Sequence, residues 1–165
     1  MDISKIYHSA NPFLTCILHC INNYVGYSKY IKNTIPVPTT LNLFLKLFND
    51  TSSNTYMLII PSHYFHIFIH NNWLNPLHIK HMFPMHDKHI YTIKKANDVW
   101  VKLDSHPSLK STINEKEMIF EISKGIGCII IIDKDKRSLF HTIVSEWNPP
   151  NEYYNTFKIN LLSNL

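Results

Sequence analysis

The hydrophobic pattern is clearest between Thr15 and Tyr24, where apolar residues recur three and four residues apart. This spacing places them on one face of an α-helix. Gly26 follows as a natural stop, because glycine tolerates the left-handed conformation that often ends a helix. Thr15 is the expected N-cap. The pattern therefore predicts a helix whose first helical residue is Cys16.

Two more helices are predicted further along the chain. The segment from Leu41 to Phe48 is apolar enough to form a largely buried helix. Thr112 and Glu115 have the spacing of a capping box, in which each side chain bonds the other residue's backbone N–H. A helix is expected to follow this pair and to end at Gly125.

Short β-branched and apolar runs predict strands elsewhere. Tyr56 to Ile60 and Cys128 to Ile132 indicate buried strands, and the second is expected to be central. Ser138 to Ser145 is expected to pair with that central strand across a charged turn. Periodicity leaves Tyr64 to His70 open between strand and helix, and residues 71–88 look loop-like.

A β-hairpin is predicted in the second half of the chain. His89 to Ile93 and Val99 to Leu103 alternate with period two, and residues 95–98 between them are typical of a turn. An antiparallel pair folds the start of its first strand back towards the end of its second. His89 and Asp104 are therefore expected at the same end of the sheet.

Composition restricts the class of protein. The chain has 165 residues, of which 45% are hydrophobic and 17% are charged. This length and balance predict a single domain over 1–165, and helices mixed with antiparallel strands predict an α+β fold. The three glycines form none of the glycine-rich patterns that bind nucleotide phosphates.

Charge and apolar runs indicate which partners to expect. The net charge is +4, but the basic residues are dispersed and only one is an arginine. Strong nucleic-acid binders concentrate their charge and use arginine, so no nucleic-acid partner is expected. The N-terminus lacks the apolar run of a signal peptide, and the longest apolar run is too short to span a bilayer. No membrane association is expected.

The three cysteines raise the question of thiol chemistry. An odd number without a C-x-x-C motif predicts free thiols in a reducing compartment, either cytoplasmic or nuclear. A helix N-terminus lowers the pKa of a thiol, because its unpaired N–H groups stabilise negative charge. Cys16 is therefore the candidate nucleophile, whereas Cys20 and Cys128 are expected to be buried packing residues.

A thiolate nucleophile needs an imidazole base and a group that orients the base. His89 and Asp104 meet this need through the predicted hairpin. A side-chain amide shortly before the nucleophile often stabilises the oxyanion, and Asn11 is the candidate. The predicted catalytic residues are therefore Cys16, His89 and Asp104, with Asn11 as oxyanion donor.

Two alternatives remain open for the histidines. Seven of them fall within residues 63–89, and pairs such as His66 and His70 have a spacing compatible with zinc binding on a helix. No Cys or Glu joins this cluster, so the prediction is that no metal or other cofactor is bound. His141 is a rival base, but no strand ending in Asp or Asn follows it at a suitable spacing.

Two blocks of the sequence resemble a known family. The first block is Ile6-Tyr7-His8 with Cys16-Ile17-Leu18-His19-Cys20-Ile21-Asn22-Asn23. The second is Lys88-His89-Ile90-Tyr91-Thr92 with Val99-Trp100-Val101-Lys102-Leu103-Asp104-Ser105. Both are similar to blocks of Josephin domains, the ataxin-type deubiquitinases, and the 15-residue interval from His89 to Asp104 also matches. The resemblance covers about residues 5–25 and 86–133, and residues 134–165 form an unassigned C-terminal extension.

The resemblance implies a fold and an activity. It implies a papain-like cysteine peptidase fold, with the catalytic helix packed on an antiparallel sheet. It also implies a thiol-dependent deubiquitinase that hydrolyses the isopeptide bond at the C-terminal glycine of ubiquitin. Cys16 matches the nucleophile, His89 the base and Asp104 the third member, while Asn11 stands where the family has Gln. The implied partner is ubiquitin or a ubiquitin conjugate, bound by a monomer without a cofactor.

Three departures from the family pattern leave a second hypothesis open. Asn11 is one methylene shorter than Gln, Ile90 replaces a Trp, and Lys102 replaces an Asn. These substitutions are compatible with a catalytically impaired ubiquitin-binding or host-interaction module that keeps the same scaffold.

Overall fold

The computed structural model describes residues 2–10, 16–30, 41–49, 54–105 and 108–165. Within them the chain forms six α-helices and one seven-stranded sheet whose strand pairs are all antiparallel. The α+β fold class is thereby confirmed. None of the described helices has the length and apolar character needed to cross a membrane.

The sheet combines local hairpins with long-range pairings. Its strands are β1 (Thr55–Pro61), β2 (His81–His86), β3 (His89–Ile90), β4 (Thr92–Ala96), β5 (Val99–Ser105), β6 (Ser108–Thr112) and β7 (Gly127–Asp133). The order across the sheet is β1-β7-β2-β4-β5-β6, and β3 pairs with β2. The strand predicted as central, β7, lies inside the sheet between β1 and β2. β1 is an edge strand, and the side chain of Ile59 is exposed there.

Helices cover both faces of the sheet. They are α1 (Cys16–Val25), α2 (Leu41–Asn49), α3 (Phe65–His70), α4 (Glu115–Ser123), α5 (Arg137–Glu146) and α6 (Glu152–Ser163). Side chains of β7 alternate between two hydrophobic cores, as the period of a strand requires. Ile129 and Ile131 join the core formed with α1 and α2, whereas Ile130 and Ile132 join the core formed with the other four helices.

The elements around the predicted site are confirmed in part. α1 begins at Cys16, and Gly26 directly after it has a φ of 85°, the left-handed conformation expected of a helix stop. β4 and β5 form a hairpin, but its first strand begins at Thr92, whereas the predicted strand begins at His89. His89 lies instead in β3, which pairs with β2. Asn97 and Asp98 make the turn between β4 and β5 with φ values of 48° and 67°, which suit the two central residues of a tight hairpin turn.

The predicted strand from Ser138 to Ser145 is wrong, because these residues lie in α5. Phe140 and Val144 are fully buried and four residues apart, so their pattern is that of one helix face. The predicted capping box is also displaced. Asn114 and Glu117 bond each other's backbone N–H groups, and α4 begins at Glu115.

Residues 71–88 are not all loop, because β2 forms there. Proline usually interrupts a strand, so Pro84 favoured a loop in this segment. In the structure Pro84 lies opposite Cys128 in β2, and its carbonyl accepts a hydrogen bond from the Tyr91 backbone N–H. The ambiguous segment from Tyr64 to His70 is helical. In the C-terminal extension, residues 134–165, α6 follows α5.

Candidate active site

His89 and Asp104 form the centre of the candidate site. Nε2 of His89 lies 2.7 Å from Oδ1 of Asp104. The hairpin register pairs Thr92 with Leu103, so Asp104 lies one position beyond that pair, at the end of the sheet where β3 begins. The side chains of His89 and Asp104 are 25% and 9% exposed. The ion pair is therefore largely shielded but still reaches the surface.

Cys16 reaches the same imidazole from α1, which packs against β3, β4 and β5. Its side chain forms a hydrogen bond with His89. Because Asp104 occupies Nε2 of the imidazole, Nδ1 is the ring nitrogen left for the thiol. Cys16 is the first described residue of α1, and the unpaired backbone N–H groups of a helix N-terminus favour a thiolate.

The electrostatics of His89 favour its protonated form. The hydrogen bond to Asp104 and then that to Cys16 raise the pKa of His89 to about 9, although burial acts in the opposite direction. At neutral pH the imidazole therefore holds a proton. A protonated imidazole beside the thiol stabilises a thiolate, the state in which a cysteine is nucleophilic.

The other two cysteines are unsuited to this chemistry. Cys20 and Cys128 are almost completely buried, as predicted. Burial raises the pKa of both thiols well above the ordinary value. The Thr92 hydroxyl also donates to the sulfur and to the backbone carbonyl of Cys20. Both side chains therefore remain thiols that pack in the core.

The remaining predicted site residues do not join the group. Asn11 lies outside the described residues, so its role as oxyanion donor stays a prediction. His141 is exposed on α5 rather than placed on a strand. His66 and His70 have ring centroids 5.4 Å apart on α3. In the described part of the chain, no three His, Cys, Asp or Glu side chains form a group that could hold a metal ion.

The N-terminal segment contributes contacts that the sequence did not predict. His8 Nε2 donates to the backbone carbonyl of Asp104 at 2.6 Å and so ties this segment to the strand that presents the carboxylate. Ser9 bonds Asn23 through its backbone, and Ser9 Oγ lies 2.6 Å from Nδ1 of His19. His8, His19 and Asn23 belong to the first family-like block, which was the one sequence signal for these contacts, whereas Ser9 lies outside that block.

An open cleft of about 320 Å³ borders the ion pair. It is lined by His86, His89, Tyr91, Lys102, Asp104, Glu121 and Lys124. Strand alternation predicts that Tyr91 lies on the same side as His89, and Lys102 on the same side as Asp104. Nothing in the sequence indicated that Glu121 and Lys124 from the region of α4 complete the cleft.

Comparison with known proteins adds no family assignment. No protein-family model matches the chain, and no curated protein is significantly similar to it. The functional interpretation therefore depends on the geometry of the site and on the two family-like blocks.

Proposed function

We propose that the protein is a papain-like, Josephin-like cysteine peptidase that removes ubiquitin from conjugates. The observation that supports it most directly is the hydrogen-bonded series of Cys16, His89 and Asp104, with the cysteine at the start of a helix. A thiol, an imidazole and an orienting carboxylate in this order are the parts of a thiol acyl-transfer site. The two sequence blocks support ubiquitin as the acyl donor.

The proposed reaction has two acyl-transfer steps. The Cys16 thiolate attacks the carbonyl carbon of the isopeptide bond at the ubiquitin C-terminal glycine and forms a tetrahedral intermediate. Protonated His89 gives its proton to the leaving lysine amine, and a thioester with Cys16 remains. Neutral His89 then takes a proton from water, whose oxygen attacks the thioester. The C–S bond then breaks, and Cys16 leaves as the thiolate beside protonated His89, which is the starting state. Ubiquitin departs with a C-terminal carboxylate after its acid proton passes to solvent.

Asp104 has an orienting role in this scheme. Its carboxylate accepts the Nε2–H hydrogen bond of His89, which fixes the ring and stabilises its charged form. Nδ1 is thereby kept towards Cys16, where both proton transfers occur. The Asp104 carbonyl is held in turn by His8.

The structure bears on two of the departures from the family pattern. Ile90 is buried in the core that packs against α1, so this substitution alters packing behind the site rather than the open cleft. Lys102 is engaged by Glu121 at 2.9 Å. Neither substitution removes a member of the proposed series of Cys16, His89 and Asp104.

A ubiquitin whose C-terminal glycine is replaced by a thiol-reactive electrophile tests the proposal. We expect covalent labelling of the wild type, seen as a mass increase of one ubiquitin, and no labelling of Cys16→Ala. Cys20→Ala is the matched control, because it removes a thiol one helical turn away and should retain labelling. Labelling that persists in Cys16→Ala would contradict the assignment. Binding of ubiquitin without labelling of the wild type would support the impaired module instead.

A further inference from the structure

Lys102 places a positive charge close to the carboxylate of the site. Lys102 and Asp104 are two residues apart on β5, so their side chains leave the same face of the strand. Both side chains line the cleft beside His89. Side chains two residues apart on a strand stand about 7 Å from each other, a span that an extended lysine side chain can cover. An ion pair between these two residues would compete with His89 for Asp104.

Glu121 holds the lysine in a different position. Its Oε1 accepts a hydrogen bond from Lys102 Nζ at 2.9 Å, and its Oε2 accepts one from the Tyr91 hydroxyl at 2.9 Å. Lys102 Nζ also lies 4.8 Å from the centroid of the Tyr91 ring, a distance typical of a cation–π contact. The Lys102 side chain is 15% exposed and that of Glu121 30%. The two contacts of Glu121 and the aromatic ring together define one location for the ammonium group.

We propose that Glu121 is a positioning residue that keeps the Lys102 ammonium away from Asp104, so that the carboxylate stays available to His89. The inference rests on the proposed function only in assigning His89 as the base. In this scheme Glu121 acts through its hydrogen bond to Lys102.

The groups around His89 show why the competition between Lys102 and His89 for Asp104 matters. The titratable groups that face His89 come from several elements: Cys16 from α1, His86 from β2, Tyr91 between β3 and β4, Lys102 and Asp104 from β5, and Glu121 and Lys124 from the region of α4. Asp104 is the carboxylate bonded to the ring, and it is the first cause of the raised pKa of His89. A lysine that captured Asp104 would therefore lower the pKa of His89 and weaken the stabilisation of the thiolate.

Titration of the His89 ring by NMR tests this inference without any substrate. Glu121→Gln keeps the size of the side chain but removes its charge, and we expect the pKa of His89 to fall by about one unit. Adding Lys102→Gln to this variant should restore the wild-type titration. Adding Lys124→Gln is the matched control, because it gives the same net charge and should restore little.

Other variants and a kinetic measurement complete the test. Tyr91→Phe removes one of the two contacts of Glu121 and should give a smaller shift of the same sign, which provides a second test if Glu121→Gln folds poorly. With a fluorogenic ubiquitin substrate, Glu121→Gln should lower kcat about tenfold with little change in KM. Lys102→Gln in the same chain should recover most of that loss.

The outcomes separate this inference from the proposed function. An unchanged His89 titration in both Glu121→Gln and Tyr91→Phe would overturn the inference. Equal rescue by Lys102→Gln and Lys124→Gln would also overturn it, since only the overall charge of the cleft would then matter. If the wild type hydrolyses no ubiquitin substrate, the proposed function is refuted. The inference is retained in that case if the variants still show the expected shift of the His89 pKa and its rescue by Lys102→Gln.

Discussion

Two histidines near α1 each contact a side chain that can act as a nucleophile, yet their surroundings differ. His89 bonds Cys16 and the carboxylate of Asp104, and it borders an open cleft. His19 lies 2.6 Å from the hydroxyl of Ser9 but is only 2% exposed. Within the described residues, Nε2 of His19 has no hydrogen-bond partner. A short distance between a hydroxyl and an imidazole therefore does not by itself make a catalytic pair.

The two environments move proton affinity in opposite directions. The Asp104 hydrogen bond, followed by that of Cys16, raises the pKa of His89 to about 9. Burial, with the nearby His8 as a smaller cause, lowers the pKa of His19 to about 4. A carboxylate partner and access to solvent thus distinguish a general base from a neutral histidine that joins an N-terminal segment to a helix.

The largest expected difference is in turnover. We expect His89→Ala to lower kcat on a ubiquitin substrate by about 10⁴-fold, because both proton transfers are lost. His19→Gln should retain covalent labelling at Cys16, since an amide can still bond Ser9. Loss of labelling in folded His19→Gln, together with activity in His89→Ala, would reverse the roles of the two histidines.

Asp104→Ala should have a smaller effect on turnover than His89→Ala. We expect a loss in kcat of about 10²-fold, because the imidazole remains present but is less well oriented and less stable when charged. The high-pH limb of the kcat profile should also move to lower pH. A loss equal to that of His89→Ala would show that Asp104 does more than orient the ring.

The free energy of unfolding at acid pH should depend on the two buried histidines, His19 and His81. The folded-state pKa of His19 is lowered from 6.5 to about 4, and that of His81 to about 3, so the unfolded chain binds more protons between these values and 6.5. Stability that is complete above pH 6.5 is therefore lost as pH falls through this window. Each histidine should contribute a slope of about 1 kcal/mol per pH unit. Urea unfolding at several pH values should show a shallower slope for His19→Gln.

At alkaline pH, His89 should make the free energy of unfolding fall as pH rises, the opposite of the effect of the buried histidines. Its folded-state pKa lies above the unfolded value, so its contribution is complete below pH 6.5 and is lost as pH rises towards 9. The same unfolding experiments on His89→Gln provide the comparison. A wild-type stability that rose between pH 7 and 9 more than that of His89→Gln would contradict the ion pair.

Ser9→Ala should have the smallest effect on the candidate site, because it changes stability rather than turnover. It removes the hydroxyl that bonds His19 and Asn22 but leaves the backbone contacts of Ser9 with Asn23. We expect a loss in unfolding free energy of about 1–3 kcal/mol, because buried polar groups lose a partner. Labelling at Cys16 should persist in the folded variant, and its absence would give Ser9 a role in the site.

The elements that carry the candidate site were partly predictable, because local sequence defines them. The 3.6-residue period and Gly26 located α1, and so placed Cys16 at its start. The turn residues and period-two alternation located the hairpin of β4 and β5, which leads to Asp104. They did not indicate that His89 lies in a separate strand paired with β2. By contrast, the segment from Ser138 to Ser145 has β-branched residues yet forms a helix, since burial of Phe140 and Val144 on one face overrides local preference.

The sequence by itself determined the helix start, the hairpin and the residue types of the candidate site, because each depends on neighbours a few positions apart. Only the tertiary structure decided that β2 enters the sheet between β7 and β4, since this depends on pairings with distant strands. It also decided that Glu121 engages Lys102 beside the ion pair, a contact 19 residues apart along the chain. Charge placement in the cleft depends on how α4 packs on the sheet, and no local pattern specifies that packing.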